Sequence, residues 1–224
     1  MLDFGFYNMD CMDGMREFPD KYFDLAIVDP VYGDVTKGGY MTGQGGEHAA
    51  KRKTYHLGLW DQPKTGPDYF QELQRVSKNQ IVWGGNYFCI NLPVSQGWIV
   101  WDKKHPEGIK FADCELAWTS FNIATRTFRY LWNGMIQENM KNKEFKIHPT
   151  QKPVALYEWI LSNYAKEGDV ILDTHVGSAS SLIACHNTHH DYVGFELDKN
   201  YYELAKKRLD NETAQMNIFD FLGG

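Results

Sequence analysis

The sequence predicts an α/β fold, a sheet whose strands are joined by crossover helices. Three observations carry that prediction. Short apolar runs rich in β-branched and aromatic residues alternate with segments of helical period along the chain. The 224 residues suffice for one closed core. Neither an internal repeat nor a linker divides them, so residues 1–224 read as a single domain.

The elements follow in order. Strands are expected at Phe4–Asn8, Asp24–Asp29, Asn79–Trp83, Trp98–Trp101, Glu115–Thr119, Thr127–Leu131, Val170–Asp173 and Tyr192–Glu196. Helices are expected at Pro67–Ser77, Pro153–Ala165, Ser178–His186 and Asn200–Asn211. In the second helix Leu156, Trp159, Ile160 and Asn163 recur at helical spacing, and Pro153 suits a first turn. In the last, Tyr201, Leu204, Ala205 and Arg208 share one stripe. The polar, glycine-rich stretch from Asp34 to Thr65 has no period, and loops of that length inside a domain usually carry function or move.

Composition excludes several classes. A hydrophobic fraction of 43% and an aromatic fraction of 15% argue against disorder. No run approaches a membrane span, and the acidic opening "MLDFGFYNMDCMDG" lacks the basic start of a signal peptide, so a cytoplasmic protein is expected. Cys11, Cys89, Cys114 and Cys185 are scattered and read as reduced structural thiols. The "HNTHH" run matches no standard metal spacing, and no metal site is expected. The net charge of −6 denies the whole molecule a long-range pull on nucleic acid. Local basic groups, among them Lys51-Arg52-Lys53, Lys103-Lys104 and Arg126 with Arg129, leave room for a basic stripe.

Two stretches point to chemistry. In "DLAIVDPVYGD" a buried strand ends on a carboxylate, a rigid proline, an aromatic ring and a glycine, Asp29 to Gly33. In "GDVILDTHVGSASSLIAC" a strand ends at Asp173, a loop containing Gly177 follows, and a helix begins. That is the layout of a nucleotide-type site: glycine lets the backbone approach a ligand, and the helix start offers free N–H groups. The next strand ends on Glu196, placed to accept from both hydroxyls of a ribose. An ordinary βαβ turn reads the same way, and the absent GxGxxG disfavours a dinucleotide dehydrogenase.

The combination is more specific. Asp29-Pro30-Val31-Tyr32, then His148-Pro149-Thr150-Gln151-Lys152-Pro153, then Asp173 to Ser180, then Glu196-Leu197-Asp198 appear in that order. This set resembles the β-class, circularly permuted DNA amino methyltransferases of the N4/N6 type, and the resemblance covers most of the chain. It implies a Rossmann-like, S-adenosylmethionine-dependent methyltransferase sheet. It further implies that Asp29, Pro30 and Tyr32 are catalytic. Asp173, His175, Gly177, Ser178 and Ser180 would cradle the methionine half of the donor. Thr150 and Lys152 would lie near the donor's carboxylate, Glu196 at its ribose and Asp10 near its adenine. Three departures stand out: Val31 replaces a proline, His175 a frequent phenylalanine, and Ala179 the loop's second glycine.

The implied chemistry is positional. An exocyclic base amine is a poor nucleophile because its lone pair is delocalised into the ring. Asp29 accepting one N–H and the Pro30 carbonyl the other would favour a tetrahedral nitrogen, without a covalent intermediate. Tyr32 would stack on a base flipped out of double-stranded DNA. Within the resembling family, Asp at the first motif position is typical of adenine N6 enzymes and Ser of cytosine N4 enzymes. Adenine is therefore expected. Cytosine N4 transfer, an RNA base or protein glutamine target, and a non-catalytic donor- or DNA-binding module stand as alternatives. Segments 34–65, 103–114 and 132–147 are candidate DNA-recognition insertions. The "QMNIF" run, Gln215 to Phe219, resembles a sliding-clamp-binding peptide, while packing of Met216, Ile218 and Phe219 on the sheet is the simpler reading.

Overall fold

The computed structural model describes residues 1–32, 65–105, 112–133 and 136–222, with backbone alone for 215–222. The 34–64 stretch, with its Lys51-Arg52-Lys53 group, and residues 106–111 lie outside the described residues.

The elements run β1 (Gly5–Asn8), α1 (Cys11–Arg16), β2 (Phe23–Val28), α2 (Pro67–Val76), β3 (Ser77–Trp83), β4 (Trp98–Asp102), β5 (Cys114–Thr119) and β6 (Arg126–Arg129). There follow a two-stranded hairpin, β7 (Trp132–Asn133) and β8 (Ile136–Gln137), then α3 (Val154–Tyr164), β9 (Ile171–Asp173), α4 (Ser180–Asn187), β10 (Tyr192–Glu196) and α5 (Lys199–Leu222). Eight strands form one sheet in the order β1-β10-β9-β2-β3-β5-β4-β6. The first five pair in parallel, and β5 runs antiparallel to both β3 and β4.

The sheet is buried on both faces, and β2 shows how. Ala26 and Val28 face Met15, Phe70 and Leu73 of α1 and α2. Leu25 and Ile27 face Leu156, Ile160 and Ala184 of α3 and α4. A period of two puts alternate side chains on opposite faces, so a strand between two helical layers must be apolar throughout. Helix α5 closes the second layer by packing Ala205 and Leu209 against Leu182 and Ile183 of α4.

Position in the sheet then creates a site. After β2 the chain moves to β3 on one side, and after β9 it moves to β10 on the other. β2 and β9 are nonetheless neighbours, with Leu25 opposite Ile171 and Ala26 opposite Leu172. A crevice opens at the carboxyl ends of strands where the winding reverses. Asp29 and the loop after Asp173 leave the sheet side by side at that point.

Three features differ from the sequence expectations. The first is α1, a single short helix capped by Asp10, whose side chain accepts from Met12 N at 2.7 Å; six residues are too few to show a period. The second is the 132–147 segment, which contains the β7–β8 hairpin. The third is α5, which continues to Leu222, so Gln215 to Phe219 extend its backbone rather than follow it. The side chains of that run lie outside the described residues.

Candidate active site

A cavity of about 640 Å³ occupies the crevice, within the range of roughly 300–1,000 Å³ typical of small-molecule sites. Its walls include Asp10, Asp29, Pro30, Tyr32, Thr150, Lys152, His175, Gly177, Ser178 and Glu196, gathered from separate stretches of chain. Asp173 and Ser180 stand behind it. Asp173 is 3% exposed; its carboxylate accepts from His175 N at 2.9 Å and from the Ser181 hydroxyl. It shapes the loop from within, and burial lifts its pKa to about 7. Ser180 Oγ meets Ser178 Oγ at 3.1 Å and accepts from Arg208 at 2.9 Å.

The loop after β9 turns twice through left-handed backbone, at Gly177 (φ 58°) and Ala179 (φ 63°). Gly177 suits that conformation; Ala179, where the resembling family has glycine, adopts it at a cost of about 1–2 kcal/mol. Gly177 N donates to Glu196 Oε2 at 2.9 Å, and Asp198 N to Glu196 Oε1 at 2.9 Å. Arg208 of α5 anchors the loop by donating to Ser178 O at 2.7 Å while pairing with Glu144 at 2.7 Å.

Two imidazoles line this part of the cavity. Burial lowers the pKa of His148 and of His175 to about 4, so both rings are neutral at physiological pH. Thr150 N donates to His148 Nδ1 at 3.3 Å, which leaves the ring proton on Nε2. His175 Nδ1 meets Thr174 Oγ1 at 2.9 Å, and Tyr69 reaches the same hydroxyl at 2.6 Å.

At the other end stands Asp29. Its Oδ2 is held by Lys152 Nζ, whose side chain is 3% exposed. Its Oδ1 is shielded from solvent and has no hydrogen-bond partner among the described residues. Burial pushes the carboxyl above its ordinary value, and Lys152 pulls it back. The Lys152 ammonium stays charged because Asp29 and Glu115 outweigh its own burial. The lysine lines the cavity with its ammonium on Asp29; the family resemblance placed it near the donor's carboxylate. Tyr32 is the next aromatic; its ring stacks on Tyr87 with centroids 4.7 Å apart and planes 8° apart. Asp29 first and burial second raise the pKa of its phenol, which stays protonated.

Several residues of the site carry no mark in the sequence. Tyr69 reads as one apolar position of an amphipathic helix, and its hydroxyl contact crosses 105 residues. Glu115 sits inside a strand with nothing to distinguish it. His148 opens a recognisable motif but has no role assigned by the resemblance.

A family model described as "DNA methylase", of the N6/N4 type, matches residues 100–207. That span holds the His148–Pro153 segment, the 173–180 loop and Glu196, and leaves Asp29 outside. The chain is 45% identical over 79 residues to the type II methyltransferase M.HpaI of Haemophilus parainfluenzae, covering 35% of this chain and 24% of that protein. It is 24% identical to M.HinfI of Haemophilus influenzae over 95% of this chain and 70% of that protein. The crystal structure of an M1.HpyAVI–SAM complex superposes with a TM-score of 0.56 at 21% identity, covering 91% and 98% of the two chains. The fold is that of the S-adenosylmethionine-dependent methyltransferases, with the two half-sites in permuted order. Residues 100–207, just under half of the chain, are similar to the DNA methylase family of the N6/N4 type.

Proposed function

We propose that this chain is a site-specific DNA methyltransferase that moves a methyl group from S-adenosylmethionine to N6 of a flipped adenine. One observation carries the reading: Asp29 Oδ1, a buried carboxylate oxygen without a partner among the described residues, in the same cavity as the glycine loop. Buried polar atoms are nearly always satisfied, and one that is not needs an explanation, which a ligand in this cavity supplies.

The cavity fits the donor. Left-handed Gly177 removes a side chain where a ligand would approach, and Glu196 keeps lone pairs for ribose hydroxyls after its two backbone bonds. His148 Nε2–H supplies a neutral donor toward a carboxylate. When bound, S-adenosylmethionine supplies an electrophilic methyl group. The chain's own work is at the acceptor. Asp29 Oδ1 accepts one amine hydrogen and the Pro30 carbonyl the other, which drives the nitrogen toward tetrahedral geometry. Asp29 also offsets the positive charge that develops on that nitrogen. Extrusion of the base costs roughly a few kcal/mol. Stacking on Tyr32 returns about 1–3 kcal/mol. Adenine is favoured over cytosine by Asp at the first motif position. The 103–114 and 132–147 segments are the proposed DNA surfaces, their lysines reading phosphate rather than sequence.

The test is to incubate the protein with methyl-labelled donor and unmethylated DNA, hydrolyse, and identify the modified base. N6-methyladenine is expected. N4-methylcytosine would overturn the choice of base, and donor binding without label in any DNA would overturn the enzyme. Asp29→Ala is expected to lose transfer and keep donor affinity.

A further inference from the structure

A chain of alternating charges leads from Asp29 into the sheet. Lys152 Nζ contacts Asp29 Oδ2 and lies 3.2 Å from Glu115 Oε2. Lys103 Nζ closes the row at 2.5 Å from Glu115 Oε1. The Lys152 ammonium also stands 5.3 Å from the Trp83 ring centroid. Burying such a cation costs several kcal/mol, and well-packed apolar residues are often at least as stable, so folding alone does not explain the row.

Geometry suggests what does. A carboxylate with no fixed partner can turn about its Cβ–Cγ bond and exchange its oxygens. With Oδ2 fixed by Lys152, only Oδ1 is offered to a ligand. Glu115 is not part of the cavity wall, so its influence on a substrate must pass through Lys152. We propose that Lys152 and Glu115 are positioning residues for methyl transfer: Lys152 locks the Asp29 carboxylate so that Oδ1 alone faces the target amine, and Glu115 holds Lys152 there. This rests on the reading of Asp29 as the amine acceptor.

The groups facing Asp29 set the expected pH behaviour. Lys152 and Lys103 favour its ionised form, and Glu115 opposes it. Tyr32, Tyr69 and Tyr157 have raised pKa values and stay neutral through the working range. Asp173, with a pKa of about 7, also faces Asp29 but is equally present in every variant below. Transfer needs ionised Asp29, so its titration forms the acid limb of the kcat profile. Removing the Glu115 charge leaves Lys152 wholly to Asp29 and moves that limb to lower pH. Removing the Lys152 charge moves it to higher pH.

The experiment uses the full chain as wild type, Glu115→Gln, Glu115→Asp and Lys152→Gln. For each, kcat and KM for DNA are measured from pH 5 to 9, with donor affinity by calorimetry and a thermal unfolding curve. In Glu115→Gln, kcat is expected to fall on the order of 10–100-fold, the scale of a misplaced reacting group. Its acid limb should move down while donor affinity stays within about twofold, the change expected of a residue off the cavity wall. Glu115→Asp keeps the charge and should keep the limb in place; Lys152→Gln should move it up. An unchanged rate and limb in Glu115→Gln would overturn the proposal. So would a fall in kcat that merely tracks lost donor binding or lost folded protein. A wild type that methylates no DNA, or an Asp29→Ala variant that still does, would instead sink the functional reading beneath it.

Discussion

Gly84 offers a sharp test of how the acceptor side is built. It follows Trp83 at the end of β3, has φ 65°, and donates its N–H to Leu116 O at 2.9 Å. A Cβ at this position would lie 2.8 Å from both Cδ1 and Cε1 of Tyr32 and 3.4 Å from Cδ2 of Tyr87. Carbon contacts are comfortable at about 3.5–4.0 Å, so Gly84→Ala forces Tyr32 to shift by roughly 1 Å. The left-handed backbone adds about 1–2 kcal/mol. Together with the ring displacement, the expected destabilisation is about 2–3 kcal/mol, read from urea unfolding. A 1 Å error beside the reacting atoms costs on the order of 100-fold in rate, so kcat/KM for DNA should fall by about that factor. Donor affinity should hold, because Gly84 is not part of the cavity wall. The double variant Gly84→Ala/Tyr32→Ala isolates the contact, since the new methyl then has room and only the backbone cost remains. Wild-type stability and wild-type kcat/KM in Gly84→Ala would refute the crowding of Tyr32.

Two further predictions concern the donor loop. At Ala179, glycine would relieve about 1–2 kcal/mol of left-handed strain. It would also lose about 0.4–1 kcal/mol to unfolded-chain entropy and about 0.8 kcal/mol of methyl burial at a fully buried site. Ala179→Gly should therefore change stability by less than about 1 kcal/mol, whereas Ala179→Val, β-branched at positive φ, should lose over about 2 kcal/mol in urea unfolding. The second prediction is a pH dependence of stability. Asp173 binds its proton more tightly folded than unfolded, from 3.8 up to about 7, so its contribution is lost as pH rises through that window. His175 binds its proton less tightly folded, about 4 against 6.5, so its contribution grows with pH between those values. Relative to wild type, Asp173→Asn should gain stability from about pH 5 to pH 8, and His175→Phe should be better placed at about pH 5 than at pH 7. Variants whose stability runs parallel to wild type across pH would contradict the raised and lowered pKa values.

Sequence legibility followed the range of the forces involved. β2 and β10 were readable because a short unbroken apolar run between polar ends fits a strand buried on both faces and little else; Tyr192–Glu196 matches residue for residue. α2 was equally readable, with Tyr69, Phe70, Leu73 and Val76 on one buried stripe after a proline. α1 was not, because its stability comes from the Asp10 cap and from packing Met15 under the sheet. Within the site, motif residues surfaced where backbone geometry needs them, as at Gly177. Contacts between residues far apart along the chain were not legible: Lys152 surfaced with its motif, but its reach to Asp29 across 123 positions did not. Glu115 reaches Lys152 from a strand that reads as ordinary. Val31 lines the cavity, and nothing in the structure explains why it stands where the family has proline.

The permuted order of the half-sites then becomes intelligible. What brings Asp29 to the donor loop is one strand pairing, β2 on β9, and that pairing is fixed from two directions. At its start, Asp24 Oδ2 accepts from Val170 N at 3.0 Å while Asp24 N donates to Val170 O at 3.0 Å, across 146 positions. Along its length, burial on both faces forbids a slip: moving β2 by one residue would exchange Leu25 and Ile27 with Ala26 and Val28 between unlike helical layers. The register so fixed carries Asp29 out of the sheet level with His175, whichever strand the chain makes first. The order of motifs along the sequence can therefore change while the site does not, because the site depends on strand neighbours rather than on chain order.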